Sequence, residues 1–373
     1  MLARMTTPGR VLVVNAGSTS TKLALVDGDE IVWSSASDSP PRDALLAEAA
    51  DGRFDGVAVV GHRVVHGGAH FDRAAVVDEE VVAAIEAVAD LAPLHNQAGL
   101  AGIAAARDLL GESVVHVAVF DTMFHRTLSP AARAYGGPRA WLEAGLYRYG
   151  FHGISHQWAS ERAALLLDRP VEDIRLVTCH LGGGSSVTAV ARGRSVDTTM
   201  GLTPLDGLVM ATRAGSVDPG LLLYLLRRGT SVDDLDDLLE RRSGLLGLSG
   251  ESSDLRAVVA ARDGGSEHAR LAVDVFVRRV AAAIGSMIAA LDGLDAIVFT
   301  GGIGEHSPEV RARAVAPFHW VGAAIDDALN RTAPATDDTR VSPDGADVQV
   351  LVVVAREAIP IAHAARLAGS AAV

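Results

Sequence analysis

Cysteine is almost missing from this chain: Cys179 is the only one among 373 residues. No intrachain disulfide can form, and no thiolate-based zinc or iron–sulfur site is available. Lysine is equally scarce. Of the 33 basic residues 32 are arginine, and the single lysine is Lys22. A lysine kept where arginine is otherwise used points to a position that needs a compact ammonium on a flexible stem. Long apolar runs are missing too. Runs such as residues 350–355 fall far short of the roughly 20 residues that span a bilayer. Residues 1–10 lack the apolar stretch of a signal peptide. A cytoplasmic protein is expected, with no membrane partner. Positive charge is in the minority, 33 basic against 46 acidic residues, a net charge of −13. That balance argues against a nucleic-acid or anionic-membrane surface, though a local basic cleft for a small anion stays open.

What is present is an ordinary globular composition, 49% hydrophobic and 21% charged. Its length suggests two domains of about 150 residues each. A β-rich run at 10–15 enters the turn Ala-Gly-Ser-Thr-Ser-Thr, returns through Lys-Leu-Ala-Leu-Val, and reverses again at Asp27-Gly28. The pattern recurs 165 residues later. A strand at 176–180 meets Gly-Gly-Gly-Ser-Ser, returns at 187–191 and reverses at Arg192-Gly193-Arg194. A repeat on this scale predicts two duplicated domains facing a cleft, each offering one glycine-and-hydroxyl hairpin.

Elsewhere the chain alternates strands and helices. Strands are predicted at 56–61, 114–120 and 296–300. Helices are predicted at 79–91, 100–110, 219–228, 232–242 and 268–291. This alternation is the signature of the α/β class. Residues 330–347, rich in Thr, Asp, Pro and Gly, read as a surface loop.

Three glycine turns, at 17–21, 182–186 and 301–304, each follow an apolar strand. Such turns present backbone N–H and hydroxyl donors to phosphate oxygens. None has the P-loop spacing or the Gly-x-Gly-x-x-Gly spacing of a dinucleotide fold. With Lys22 beside the first turn, phosphoryl transfer is the leading reaction class. Polar groups also gather in GHRVVHGG (61–68), APLHN (92–96), VFDT (119–122) and YGFHGISH (149–156). His152 and His156 stand four apart, a spacing that also suits zinc, but no His-Glu-x-x-His arrangement accompanies them.

These segments, together with VLVVNAGSTSTK, HLGGGSS, TTMGLTPLDGLVMATRAGSVDP, SGESSDLR and FTGGIGEHS, resemble the acetate kinase family. They run from residue 11 to about 308 in the family's order. The resemblance implies two duplicated actin-like (ribonuclease H-like) α/β domains around a nucleotide-binding cleft. The first would be residues 1–122 with 355–373, the second 123–354. It implies phosphoryl transfer from ATP to acetate or propionate, with ADP and acyl phosphate as products, Mg²⁺ (or Mn²⁺) as cofactor, and a homodimer.

By the same resemblance Arg63 and Arg213 clamp carboxylate and phosphoryl oxygens, Asp121 orients the attacking carboxylate or a metal-bound water, and His152 donates to the transferring group. Asn15 is the metal-side residue, and His95 and His180 support the site. Val65, Leu94, Phe151 and Pro204 form the apolar pocket for the acyl tail. Ser18, Ser20, Lys22, His180, Leu181, Gly182, Gly183 and Gly184 face the phosphates. Asp254, Leu255 and Arg256 contact adenosine, and Gly302, Ile303, Gly304, Glu305 and His306 form the second nucleotide loop.

Three positions depart from the family pattern. Gly183 and His306 each stand where asparagine is usual. By spacing, Val350 occupies the place of a metal-associated glutamate, with Glu357 the acid that could serve in its stead. Two alternatives remain: a kinase for a larger acid such as butyrate, and a nucleotide-binding regulator impaired in catalysis.

Overall fold

A computed structural model describes residues 9–17, 20–111 and 113–371, apart from the side chains of Pro93 and Leu94. The described chain forms two compact units. One holds the chain up to Arg126 and from Arg356 onward; the other is Thr127–Ala355.

The first unit is built on strands β1 (Val11–Ala16), β2 (Thr21–Asp27), β3 (Glu30–Ser37), β4 (Val59–Val64), β5 (Ala75–Val76) and β6 (Val115–Phe120). Their order in the sheet is β3-β2-β1-β4-β6-β5. β1, β4 and β6 run parallel, and the outer strands are antiparallel to their neighbours. The central strands are apolar over most of their length because helices cover both faces. Helix Pro93–Leu110 contributes Ala105 and Ala106 to the core with Leu12 and Val14. Helix Ala358–Ser370 covers the opposite face so closely that a Cβ at Gly61 would lie 2.8 Å from the Ile361 side chain. Glycine is required there by contact, not by its backbone angles.

The second unit repeats the plan. Its strands are β7 (Arg175–Leu181), β8 (Ser185–Ala191), β9 (Arg194–Thr198), β10 (Ala296–Thr300), β11 (Thr339–Arg340) and β12 (Gln349–Val352). The order β11-β12-β10-β7-β8-β9 maps strand for strand onto the first sheet, with the same parallel trio, β7, β10 and β12, at its centre. The likeness extends to detail. In each unit the second strand has a register shift just before its hairpin, at Leu25/Val26 and at Ala189/Val190. The second hairpin turns through Arg192 (φ 55°) and Gly193 (φ 69°), the left-handed pair that matches strand twist. Helix Glu267–Ala289 buries Val273, Phe276, Val280 and Ile284 on one face of this sheet, and helix Gly153–Leu167 packs on the other. The duplication read from the sequence is thus a duplication of topology.

Several expected boundaries move. The strand expected at 56–61 is Val59–Val64, because His62 and Arg63 continue the pairing with β6 and do not end it. The Pro-His segment at 92–96 is no turn: Pro93 opens helix Pro93–Leu110, where its missing N–H costs nothing. The third glycine turn is the start of a helix, Gly301–His306. The expected surface loop at 330–347 carries buried Asn330, Val341 and Ser342 and the edge strand β11, so part of it is core.

Behind Arg63, β4 buries His62 against His116 of β6, with His62 Nε2 and His116 Nδ1 3.0 Å apart. Burial, and then the neighbouring His116, hold His62 well below its ordinary pKa of 6.5. Burial first and Arg107 second pull His116 down to about 4. Both rings are therefore neutral in the folded chain at pH values where the unfolded chain has begun to bind protons. Stability is full above the unfolded value and is lost as pH falls from about 6.5 toward 4. Thermal unfolding is expected at a lower midpoint at about pH 5 than at about pH 7.5; equal midpoints would rule out a neutral pair.

Candidate active site

Three parallel strands end side by side in the first unit, and each delivers one polar group at its carboxyl end. Asn15 lies near the end of β1, Arg63 near the end of β4, and Asp121 directly after β6. Open α/β sheets collect ligands at this edge because adjacent parallel strands stop together. The Arg63 guanidinium grips Asp121 with two bonds, Nε to Oδ1 at 3.0 Å and Nη2 to Oδ2 at 2.5 Å. Nη1 donates to Asn15 Oδ1 at 3.2 Å. A two-pronged grip of this kind fixes the plane of the fork. Burial alone would lower the Arg63 pKa. The Asp121 carboxylate, then Glu357, then the Asp121 hydrogen bond outweigh it and hold the group above its ordinary value.

Glu357, at the start of helix Ala358–Ser370, is thus brought into the field of Arg63. This corrects the reading of position 350. Val350 lies in β12, opposite Ile297 of β10, and is fully buried in the second unit's core. A valine so placed offers no ligand oxygen, and Glu357 is the acid whose charge acts on Arg63.

Elsewhere in this unit, Lys22 is exposed and pairs in register with Asn15 across β1 and β2. Gly17 N–H donates to the Ser20 carbonyl at 2.8 Å, closing the turn around them. Ser18 and the side chain of Leu94 lie outside the described residues. Val65 is buried. Asn96 clamps His66 by donating to its carbonyl and accepting from its N–H, both at 3.0 Å, and so ties the helix that carries His95 to the segment after β4.

The second unit assembles a cationic and imidazole-rich group. His152 caps helix Gly153–Leu167 in a left-handed conformation, φ 55° and ψ 24°. Its Nδ1 is 2.9 Å from Ser186 Oγ, and its ring lies 4.2 Å from that of His180. The chain at Gly184 passes under it: a Cβ there would come to 2.8 Å from Arg213 Nη2 and 3.2 Å from His152 Nε2. Glycine is what lets both side chains reach this backbone. Arg213 donates to the Pro204 carbonyl at 2.7 Å. Burial lowers its pKa, with Glu240 opposing. Among the described residues no carboxylate comes within ion-pair distance of it, so Arg213 is a desolvated cation ready for an anion.

Gly182 to Gly184 form the turn between β7 and β8, with Leu181 in the core and the Gly183 carbonyl accepting from Ala211 N–H at 3.2 Å. A Cβ at Gly183 would meet open space, so the loop has room for a side chain there. Gly302 lies beside this turn: a Cβ at Gly182 would lie 3.9 Å from Gly302 N. Ile303, Gly304 and Glu305 follow in helix Gly301–His306, and His306 Nδ1 is folded back onto the Gly302 carbonyl at 2.9 Å. Phe151 and Pro204 are buried. Asp254 caps helix Leu255–Asp263 and pairs with exposed Arg256 at 2.6 Å, while Leu255 belongs to the core and offers a nucleotide its backbone only.

His156 is not at a zinc site. It is buried between Thr178 and Ser186, and no group of three or more His, Cys, Asp or Glu side chains suited to a metal exists among the described residues. Nor is any described helix long and apolar enough to cross a membrane.

The acetokinase family model matches residues 42–363. An acetate kinase of a Synechococcus strain is 51% identical over 86% of this chain and 78% of its own length. Among solved structures, an acetate kinase from Porphyromonas gingivalis has a TM-score of 0.86 at 32% identity, covering 96% of this chain and 99% of that one. A propionate kinase from Francisella tularensis has a TM-score of 0.87 at 32% identity and the same coverage. A family match over most of the chain, with a relative about half identical to it, leaves one assignment: the chain belongs to the acetokinase family.

Proposed function

We propose that the chain is an acetate kinase: it transfers the γ-phosphoryl group of ATP to the carboxylate of acetate or propionate and runs the reaction in reverse from ADP and acyl phosphate. A carboxylate oxygen forms the new bond to phosphorus in line with the breaking bond to the β-phosphate oxygen, and ADP carries away that electron pair. The nucleophile is already an anion. Positioning and charge neutralisation therefore do most of the work, and little base catalysis is needed.

The observation that carries this reading is Arg213, a desolvated guanidinium with no carboxylate at ion-pair distance among the described residues, set beside His152 over the bare Cα of Gly184. A phosphoryl group is the anion this arrangement suits. Arg213 neutralises its equatorial charge, His152 donates to it, and the backbone N–H groups of Gly183 and Gly184 hold the neighbouring phosphate, that of Gly182 being bound to the Gly184 carbonyl. Arg63 binds the acid's carboxylate with its fork oriented by Asp121, and the polar end of Lys22 supplies a mobile positive charge to the phosphates with Ser18 and Ser20. Val65, Leu94, Phe151 and Pro204 receive the acyl tail. Asp254 and Arg256 flank the adenosine, as do Gly302 to His306.

The donor set also suits Mg²⁺, which keeps several waters and takes one or two protein oxygens beside those of the phosphates. Asn15 Oδ1 and the Glu357 carboxylate are the oxygens at hand near Arg63. Bound there, the ion would offset the charge of the transferring phosphates. The protein is expected to act in the cytoplasm as a homodimer; Leu221, Leu223, Tyr224 and Leu226, exposed along helix Pro219–Arg227, offer a second copy an apolar surface.

The test is acyl-phosphate formation by the purified chain with ATP and Mg²⁺, comparing acetate, propionate and butyrate. Turnover with acetate or propionate well above that with butyrate is expected. A folded chain that binds ATP and phosphorylates none of the three overturns the reading.

A further inference from the structure

The second nucleotide loop is a weak helix by its own sequence. Gly301–His306 has six residues, three of them glycine, the poorest helix former after proline. Helices shorter than about 12 residues are marginal in water even with good formers. Its N-cap, Thr300, makes no side-chain cap bond. A Cβ at Gly302 would meet open space, so packing does not demand glycine there; bare backbone leaves a ligand a close approach. The shape of this segment has to be held from outside it. Glu305 Oε1 accepts from Ala355 N–H at 3.0 Å, and the third partner, besides the His306 ring, is an arginine.

Arg311 lies in the first turn of the next helix, Pro308–Val315, with 1% of its surface exposed. Its Nη1 donates to the last carbonyls of the glycine helix, Gly304 at 2.8 Å and Glu305 at 2.7 Å. Its other two nitrogens hold Asn330: Nε donates to Oδ1 and Nη2 to the backbone carbonyl, both at 2.7 Å. Asn330 is buried in helix Asp327–Thr332 and donates from Nδ2 to the Pro308 carbonyl at 2.9 Å. Arginine only donates and carbonyls only accept, so the direction of every one of these bonds is settled.

Fully buried arginines are ordinarily paired with an acid. Among the described residues no carboxylate opposes the burial of Arg311, which pulls its pKa down, to about 10. The group is still charged at neutral pH, and neutral oxygens alone meet that charge. Two of them are the carbonyl end of the glycine helix, where a cation is favoured. An apolar side chain would fill the same space without the cost of desolvating a charge, so packing alone does not account for arginine here.

We propose that Arg311 is the positioning residue of the nucleotide loop: through Nη1 it locks the Gly304 and Glu305 carbonyls, so that ATP meets a loop already in shape and does not have to order it. Gly302 is thereby kept beside the Gly182 turn, where a Cβ on Gly182 would lie 3.9 Å from Gly302 N. Binding to a preformed loop avoids the entropy lost in ordering it. The nucleotide role of the loop rests on the function proposed above; the clamp on its carbonyls does not. Because one nitrogen makes both loop bonds, a lysine ammonium in its place can serve both carbonyls while giving up Asn330.

The experiment reads loop order by amide hydrogen exchange and ATP affinity by calorimetry, both on the full chain. The reporter is the Ser307 amide, which closes the glycine helix by donating to the Ile303 carbonyl at 3.0 Å. In the native chain it is expected to exchange about 100-fold more slowly than an open amide. Arg311→Met keeps the length of the side chain and removes every donor. It is expected to lose that protection while helix Glu267–Ala289 keeps its own, and to raise the Kd for ATP roughly tenfold or more with the KM for acetate unchanged. Arg311→Lys is expected to bind ATP like the native chain but to unfold at a lower temperature, which separates the loop bonds from the Asn330 bonds. Native protection and Arg311→Lys carry the test if Arg311→Met does not fold. An unprotected native Ser307 amide, a folded Arg311→Met chain with native ATP affinity, or an Arg311→Lys chain that loses ATP affinity together with stability overturns the clamp. Loosened exchange and weakened ATP binding in Arg311→Met, in a protein that makes no acyl phosphate, support the clamp and overturn only the kinase reading.

Discussion

Arg63→Ala is expected to lower kcat/KM for acyl-phosphate formation by about 10³-fold and to destabilise the first unit by about 3–5 kcal/mol. Both effects come from one geometry. The guanidinium is largely buried, with 16% of its side chain exposed, and Asp121 is at 1%. Removing the cation takes away the fork that would hold the acid's carboxylate, and it strips Asp121 of a two-bond partner in a place that water scarcely reaches. Arg63→Lys keeps the charge but loses the planar grip, so it should recover stability more than turnover. The double variant Arg63→Ala/Asp121→Ala separates the two consequences. It removes the stranded carboxylate and should regain much of the lost stability with no gain in activity. Urea unfolding and steady-state assays on the same samples read both. An Arg63→Ala chain as stable as the native one would show that the Asp121 grip adds nothing to the fold; full activity would remove Arg63 from the reaction.

The second large effect distinguishes positions 350 and 357. Val350→Glu, which a linear reading of spacing suggests as a restoration of the metal-side acid, is expected to destabilise the second unit by at least about 4 kcal/mol. The side chain is fully buried in the middle of β12, between β10 and the edge strand, among Ile297, Val341 and Val348. A carboxylate there has no cation and no water. Glu357→Ala is expected to leave the protein folded while raising the Mg²⁺ concentration needed for half-maximal rate by about 10–100-fold. The rate measured against Mg²⁺ concentration, with circular dichroism to check folding, tests the pair. A stable, fully active Val350→Glu protein, or an unchanged Mg²⁺ dependence in Glu357→Ala, would contradict the placement of these two residues.

Much of this protein is legible in one dimension. The two strand–glycine–strand runs, 165 residues apart, announce the duplication, because a repeated local pattern needs no long-range contact to be seen. The helix at Pro219–Arg227 and the long helix Glu267–Ala289 fall within a residue or two of their periodic apolar patterns. The candidate residues Arg63, Asp121, His152 and Arg213 are marked by polar chemistry in apolar or glycine-rich surroundings and by the family's motifs. Each of those signals is carried by neighbours in sequence.

What only the tertiary structure decided are relations between segments far apart in the chain. Asn15, Arg63 and Asp121 meet because three parallel strands end together, which places residues 48 and 58 positions apart within hydrogen-bond reach. The His156–Thr178–Ser186 run exists because β7 pairs with β8 under a helix, and a His-x-x-x-His spacing cannot say whether its second ring meets a metal or two hydroxyls. The acid beside Arg63 is Glu357 and not the residue at 350, because the chain leaves the sheet after β12 and joins the first unit only from Arg356 onward. Spacing counts residues along a path, whereas burial and charge depend on where the path goes; a valine in a central strand and a glutamate at a helix start are seven residues apart and belong to different units.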